Sequence, residues 1–420
     1  LKFAFLTLGC RLNQFESDSL ITSFIENGYT KTSFKEKADI YIINTCTVTG
    51  KSDSKSRNAI NRAVKTNPDA LVIVTGCYSE TDRGDIERIE GVDFIVPNKQ
   101  KHGIFKLVEE KLKSKNLTGI SDDPFDFYPP LKGEHTRSYL KIQDGCDNFC
   151  AYCKIPFARG NPVSRDFNDT LNAFNLLIGS GIKEVVLTGI NIGKVNYSLE
   201  GLISSLLDTE GIFRLHLSSI EMPDVTQGII NFLSNKKFIK HFHIPLQSGS
   251  DKILKLMNRK YTSSDYIDLI KRIKEQCADV NLTTDVLTGF PGESDADHKM
   301  TLDVIKECEF SHVHTFPYSK RVGTKASAMN NQITSDIKSQ RSLEIRELSD
   351  DLSISYKKKF AGKNIRLLVE KNNICIDGKT YSTGKSDNYV DAFIPSKLEK
   401  SCFYEVKALR VENSILYAGI

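Results

Sequence analysis

Residues 137–153, Arg137-Ser138-Tyr139-Leu140-Lys141-Ile142-Gln143-Asp144-Gly145-Cys146-Asp147-Asn148-Phe149-Cys150-Ala151-Tyr152-Cys153, join a strand-like apolar run to a loop with three cysteines spaced C-x3-C-x2-C. Tyr139–Ile142 opens a series of alternating strand and helix patterns, so the cysteine loop falls at the first strand end of a βα array. Three thiolates on so short a loop can grip three corners of a 4Fe–4S cubane and leave one iron open, because such a cluster normally takes four. A structural zinc site is the other use of clustered cysteines, and it wants four ligands at fixed spacing. His135 lies upstream and no C-x2-C partner pair follows.

Working downstream, candidate strands follow at Glu184–Thr188, Phe213–Ser218, Phe242–Leu246, Leu282–Leu287 and His312–Phe316, with helical segments between them. Six βα units make an incomplete version of the eight-unit barrel. Upstream, Phe3–Leu8, Ile40–Ile43, Leu71–Val74 and Phe94–Val96 alternate with helices over Asn13–Asn27, Ser52–Lys65, Asp82–Ile89 and Ile104–Leu112, the pattern of a doubly wound parallel sheet. Cys10, Cys46 and Cys77 each fall at or just after one of these runs, so a parallel sheet would bring all three to its carboxyl edge, where open α/β sheets bind ligands. Buried cysteines near strand ends would look the same.

The expected organisation is an N-terminal α/β domain over 1–113, a polar, Pro-containing linker over 114–136, a barrel over 137–335, a connecting helix over 336–360 and a small antiparallel β-barrel over 361–420, where short runs alternate with turn residues. At 420 residues, two or three cores are expected. A net charge of +4 permits a polyanionic partner without requiring one. No apolar run reaches membrane-span length, and the opening Lys2–Cys10 reads as a strand rather than an export signal. A cytoplasmic setting with reduced thiols is expected for the ten cysteines. Cys277, Cys308, Cys375 and Cys402 match no motif and read as packing residues, and the eight histidines show no H-x-x-x-H zinc pattern.

The cysteine loop resembles the signature of the radical S-adenosylmethionine (SAM) superfamily, with Tyr152 matching its usual aromatic before the third cysteine. The segments Gly9-Cys10-Arg11-Leu12-Asn13-Gln14, Asn44-Thr45-Cys46-Thr47-Val48 and Thr75-Gly76-Cys77 are similar to the N-terminal motifs of the methylthiotransferases. So are the barrel segments Leu217–Glu221, His243–Ser250, Met257–Thr262, Gly289–Glu293 and Phe316–Ser319, while Gly384–Val390 looks like part of a TRAM domain. Met222 stands before Pro223 where the family often has Glu-Pro.

The resemblance implies two 4Fe–4S clusters, one on Cys146, Cys150 and Cys153 that cleaves SAM to a 5′-deoxyadenosyl radical, and one on Cys10, Cys46 and Cys77 that binds or supplies sulfur. It implies SAM contacts at Tyr152, Gly189, Asn191, Glu221, Gln247, Ser248, Gly289 and Glu293. Plain structural roles compete at several of these: Gly289, Gly292 and Glu293 could form a turn into the next helix, and Glu221 a helix cap. Arg11-Leu12 and Thr188–Gly193 are most similar to the bacterial MtaB-type subgroup, which acts on N6-threonylcarbamoyladenosine at position 37 in the tRNA anticodon loop. The other subgroups act on isopentenyladenosine tRNA or on an aspartate of a ribosomal protein, and an RNA-binding protein with structural metal clusters is the non-enzyme alternative.

An electron donor of the flavodoxin or ferredoxin class and a sulfur donor would be the remaining partners. A threonylcarbamoyl group carries a carboxylate, so its pocket needs a cation, expected among Arg11, Arg159 and Arg259. Lys357, Lys358, Lys359, Lys363 and Arg366 could contact phosphates or simply close a helix.

Overall fold

The structure, a computed structural model, describes residues 1–114, 119–128, 136–376 and 378–420. Apolar runs too short for helices and buried on both faces become parallel strands. Strands β1 (Lys2–Thr7), β2 (Thr30–Thr32), β3 (Ile40–Thr45), β4 (Leu71–Gly76) and β5 (Phe94–Val96) make one all-parallel sheet in the order β2-β1-β3-β4-β5. Successive side chains of β3 go to opposite faces. Ile40 and Ile42 meet Phe15, Leu20 and Phe24 of helix α1 (Arg11–Glu26), and Tyr41 and Ile43 meet Ala59, Ile60 and Ala63 of helix α2 (Gly50–Thr66). Thr49 caps α2 by accepting from the Ser52 amide, and Asp53 sits favourably in its first turn. The strand order reverses between β1 and β3, so the crevice that doubly wound sheets use for ligands opens beside the ends of those two strands.

Strands Arg137–Lys141, Glu184–Thr188 and Arg214–Leu217 form a second parallel sheet, and His241–His243, Asn281–Thr288 and His312–Pro317 a third. Parallel bridges Leu215–Phe238 and Ser219–His243 join them, giving six parallel strands in an open arc. Leu140, Val185, Leu187, Leu215, Phe242 and Leu282 point outward into a core shared with the surrounding helices. The alternate residues, His216, His241, Thr283 and His314 among them, therefore face a polar lumen.

Helix Ser335–Lys358 leads to a closed five-stranded barrel, in which Asn364–Ile376, Lys379–Ser386, Asp391–Ile394, Ile415–Gly419 and Phe403–Glu412 are successive neighbours. Four of its pairings are antiparallel; Asp391–Ile394 runs parallel to Ile415–Gly419. The apolar runs on either side of Asn372-Asn373 belong to one strand with a register shift between Lys371 and Ile374, where Asn373 takes φ +59°.

Residues 119–128 of the expected linker pack on the first domain. Phe127 is buried edge-to-face on Phe15 at 5.7 Å, and Lys141 Nζ donates to the Pro124 carbonyl at 2.9 Å. The remainder of that linker, His135 included, lies largely outside the described residues. Cys277 and Cys308 are buried, whereas Cys375 is exposed and Cys402 half-buried, so only the first pair are core residues. All ten cysteines are unpaired. Among the described residues, no helix is long and apolar enough to cross a membrane.

Candidate active site

The first cysteine triad is built by loops that only glycine could close. Gly9 takes φ +101°, and a Cβ on it would lie 2.9 Å from both Cβ and Sγ of Cys46; Gly76 takes φ +102° with the Thr45 backbone 2.3 Å from its would-be Cβ. Asn13 Nδ2 donates to the Leu8 and Thr45 carbonyls at 2.7 and 3.0 Å, so one side chain ties the loop after β1 to the loop after β3. Thr45 Oγ1 ties that loop to β4 by donating to the Thr75 carbonyl at 2.6 Å. Cys10, Cys46 and Cys77 thus meet at the sheet's carboxyl edge, Cys10 exposed and the others buried. Burial pushes the Cys46 thiol up to about 11, with Cys77 and Cys10 adding to it. Burial also raises Cys77, against the opposing pull of the Arg159 guanidinium.

The second triad sits on a loop folded back on itself. The Cys146 amide donates to the Gly160 carbonyl at 3.0 Å, and the Cys153 amide to the Cys150 carbonyl at 2.9 Å. Gly145, at φ +75°, leaves 2.1 Å between a would-be Cβ and the Asn161 carbonyl oxygen. Asn258 Nδ2 donates to the carbonyls of Asn148 and Phe149 at 2.9 and 3.2 Å, and the Ala151 amide donates to the Met257 carbonyl at 3.0 Å. The Met257-Asn258-Arg259 segment is therefore a clamp on the cysteine loop. Arg259 Nη1 lies 3.5 Å from Cys150 Sγ, and its guanidinium is paired with the Glu221 carboxylate. Burial pushes the Cys153 thiol up to about 12.

One arginine ties the first triad to the barrel. Arg159, six residues past Cys153, donates from Nε to Cys77 Sγ at 3.3 Å. Its Nη1 reaches Glu16 Oε1 at 3.1 Å and Asp144 Oδ2 at 2.9 Å, and its Nη2 reaches Asn13 Oδ1 at 2.6 Å. Lys101 and Lys141 also pair with Glu16, the latter at 3.0 Å, and Lys141 Nζ lies 2.7 Å from Asp144. Three cations and two carboxylates are thus sealed at the junction of sheet and barrel, leaving one net positive charge beside Cys77. The cations hold the carboxyls of Glu16 and Asp144 below their usual range despite the burial that opposes this.

A cavity of about 330 Å³ opens beside Cys150, lined by Asn148, Asn191, Lys194, Glu221, Asp224 and Arg259 among others. Asn191 is buried, and neither its Nδ2 nor its Oδ1 has a partner among the described residues, although its backbone N–H is anchored on Gln143 Oε1 at 2.7 Å. Such a group is costly unless something polar enters the cavity to meet it.

Of the residues expected at SAM, Asn191 and Glu221 line this cavity, and Tyr152 lies within electrostatic reach of Cys150, Glu221 and Arg259, which also line it. Tyr152 packs edge-to-face on Phe290 at 6.4 Å. A side chain at Gly189 would crowd Gln143. Gln247 takes φ +65° and bridges to Val286, and Ser248 Oγ accepts from the Ser250 amide at 3.2 Å. Glu293 accepts from the Gly289 amide at 2.7 Å and from Arg341 at 2.6 Å, so both hold the turn before helix Asp295–Cys308. Sequence reading missed Asn13, Asn258, Lys194 and Asp224. The first two lie inside motifs it quoted, and an Asn beside a Cys-bearing loop is a recurrent way to satisfy turn carbonyls. At the basic helix end, Lys357 donates to the Ser414 carbonyl, Lys359 pairs with Glu309 and Arg366 with Asp387, while Lys358 and Lys363 are exposed.

The donor sets fit clusters better than ions. Among the described residues, no three His, Cys, Asp or Glu side chains converge tightly enough to hold a single metal ion. Each triad instead offers three soft thiols within electrostatic reach of one another, the donor type that iron–sulfur clusters take.

Residues 2–97 match the family described as Uncharacterized protein family UPF0004, and residues 140–305 match the Radical SAM superfamily. The chain is 38% identical over 403 residues to the threonylcarbamoyladenosine tRNA methylthiotransferase MtaB of Bacillus subtilis (strain 168), covering 92% of this chain and 89% of the relative. It is 31% identical over 426 residues to the tRNA-2-methylthio-N(6)-dimethylallyladenosine synthase of Thermodesulfovibrio yellowstonii, covering 99% and 97%. The radical S-adenosylmethionine methyltransferase TsrM of Kitasatospora setae, solved with cobalamin and a [4Fe-4S] cluster, shares the fold at a TM-score of 0.56 and 14% identity, over 78% of this chain and 76% of that one.

Proposed function

Because this chain belongs to the radical SAM methylthiotransferase family, we propose that it adds a methylthio group to C2 of N6-threonylcarbamoyladenosine at position 37 of tRNA. The observation that carries the reading is the juxtaposition of two cysteine triads, with Cys77 within electrostatic reach of Cys153, at a junction between sheet and barrel that Arg159 ties together. Cys146, Cys150 and Cys153 would hold one 4Fe–4S cluster and Cys10, Cys46 and Cys77 the other, each one thiolate short. With SAM, these cofactors supply the one-electron and sulfur chemistry that an unactivated aromatic C–H bond demands and no side chain can provide.

The chain's own residues bind, orient and exclude water. Asn258 and Gly145 fix the loop that carries the SAM-cleaving triad. Asn191 offers an amide donor and acceptor to a polar ligand in the cavity beside Cys150, and the Glu221–Arg259 pair borders it with one charge of each sign. Asn13 and Arg159 hold the other triad against the barrel. The domain boundaries read from the sequence, at 113, 137, 335 and 361, belong to this proposal, as do the cytoplasmic setting, a low-potential electron donor of the flavodoxin or ferredoxin class and a sulfur donor.

The test offers the anaerobically reconstituted protein two tRNAs, one carrying threonylcarbamoyladenosine and one isopentenyladenosine, with reductant, SAM and sulfide. Nucleoside mass spectrometry should find the 2-methylthio product on the first. Product only on the second would overturn the substrate while leaving the family assignment standing. Replacing all of Cys10, Cys46 and Cys77 by Ala should halve the iron and stop methylthiolation while SAM is still cleaved.

A further inference from the structure

The three candidate arginines have different fates. Arg159 is saturated by Glu16, Asp144, Asn13 and Cys77, and Arg259 by Glu221. Arg11 has no acceptor among the described residues. It lies in the first turn of α1, where a cation opposes the helix dipole rather than complementing it, and that turn holds no acidic residue. Its side chain is half-buried, with the guanidinium left free of acceptors among the described residues.

Arg11 lines a second cavity, of about 440 Å³, between the barrel lumen and the C-terminal barrel. That volume is within the usual range for a small-molecule site. The other cations on its wall are committed: Arg137 to Glu370 and Tyr389 Oη, Lys385 to Asp391 at 2.8 Å, and Lys357 to the Ser414 carbonyl at 2.7 Å. The lumen histidines are occupied with one another. His216 Nε2 and His241 Nδ1 share a hydrogen bond of 2.8 Å, and Thr283 Oγ1 lies 2.9 Å from both His241 Nε2 and His243 Nδ1. His243 Nε2 lies 3.2 Å from Asp285. The His314 ring packs on those of His312 and His243 and makes no hydrogen bond among the described residues. Burial and neighbouring cations hold His314 down to about 4 and His241 well below its ordinary value, so both are neutral at pH 7 and the open positive charge is that of Arg11.

We propose that this cavity receives the carboxylate-bearing arm on N6 of the substrate adenine, with the Arg11 guanidinium pairing with its carboxylate and the His314 imidazole meeting its hydroxyl or urea. The inference rests on the methylthiotransferase reading above and adds to it the subsite that selects the arm. The placement suits the reaction, since Arg11 directly follows the exposed Cys10. On adenine, C2 and the N6-bearing carbon flank N1, so C2 and the arm lie on neighbouring edges of the ring. An apolar arm would leave the guanidinium unpaired in the cavity, which is how a polar site rejects the wrong substrate.

The test measures binding of anticodon stem-loops to the reconstituted protein at one fixed salt concentration. One stem-loop carries threonylcarbamoyladenosine, a second its carboxylate methyl ester, a third isopentenyladenosine. Wild type should bind the acid about tenfold to a hundredfold more tightly than the ester, the range for a charge-assisted hydrogen bond. Arg11→Gln should collapse that ratio towards one, and Arg11→Lys should keep part of it. Equal affinity of wild type for acid and ester, or an undiminished ratio in Arg11→Gln, would overturn the assignment. Methylthiolation of the isopentenyl stem-loop alone would instead strike the substrate reading on which it rests. The acid–ester comparison in wild type needs no variant, so poor folding of an Arg11 substitution cannot mask the answer.

Discussion

Replacing Glu16 by Gln removes the carboxylate that Lys101, Lys141 and Arg159 share. All four side chains are fully buried, so water cannot take its place. The cluster would go from one net positive charge to two, held against only Asp144. Breaking a buried pair by removing one partner costs about 3–5 kcal/mol, because the cost is that of the charges left behind. With a urea slope of about 2–3 kcal/mol/M for the cooperative unit, the midpoint should fall by about 1–2.5 M. Far-UV circular dichroism under anaerobic conditions would follow the transition. A second variant, Glu16→Gln with Lys101→Met, restores the charge balance and should recover part of the loss, since groups in direct contact do not add. A midpoint for Glu16→Gln within about 0.3 M of wild type, less than 1 kcal/mol at such slopes, would refute the sealed charge cluster.

Three further outcomes follow from the geometry. His216 and His241 are held well below their unfolded value by burial, so the unfolded chain binds more protons and stability falls as pH drops below about 6.5; thermal unfolding should show a lower midpoint at pH 5.5 than at 7.5, with a shallower dependence in His216→Gln. Asn191→Leu removes the unpartnered amide and should weaken SAM binding about tenfold by equilibrium dialysis, whereas unchanged affinity would show that the amide meets no ligand. Gly145→Ala drives a methyl group into the Asn161 carbonyl at a positive φ, a strain of about 1–3 kcal/mol on the backbone alone, and should lower the iron retained after reconstitution; full iron content would disprove the crowding.

The sequence made the two α/β layers legible because their strands are buried on both faces, and continuous apolar runs such as Ile40–Ile43 stand out. It hid Thr30–Thr32, a three-residue polar strand at the sheet edge, and Lys379–Ser386, where a small closed barrel tolerates polar residues on its outer face. The positions of Cys10, Cys46 and Cys77 relative to strand ends placed them on one rim. Nothing local could link Arg159 to Cys77, since contacts across domains leave no periodic trace. The lumen histidines did leave one: His241 and His243, like His312 and His314, are two apart on strands and so share a face, a pattern that a search for helical zinc motifs passes over. Asn191 and Glu221 reached the cavity, while Glu293 turned inward because its partner, Arg341, sits on a helix that its motif does not reveal, and Ser248 accepts from Ser250 within its own motif.

The Arg159 bridge also sets an order of events during synthesis. Cys10, Cys46 and Cys77 all leave the ribosome before the segment that covers them. The roughly eighty residues between Cys77 and Arg159 take about 4–16 s to emerge at ordinary bacterial elongation rates. For that interval the nascent sheet presents Cys77 without Arg159, with Lys101 the first cation to reach Glu16. Cys77 then lacks the guanidinium that meets it in the folded chain, and slow codons between positions 77 and 159 would lengthen that interval.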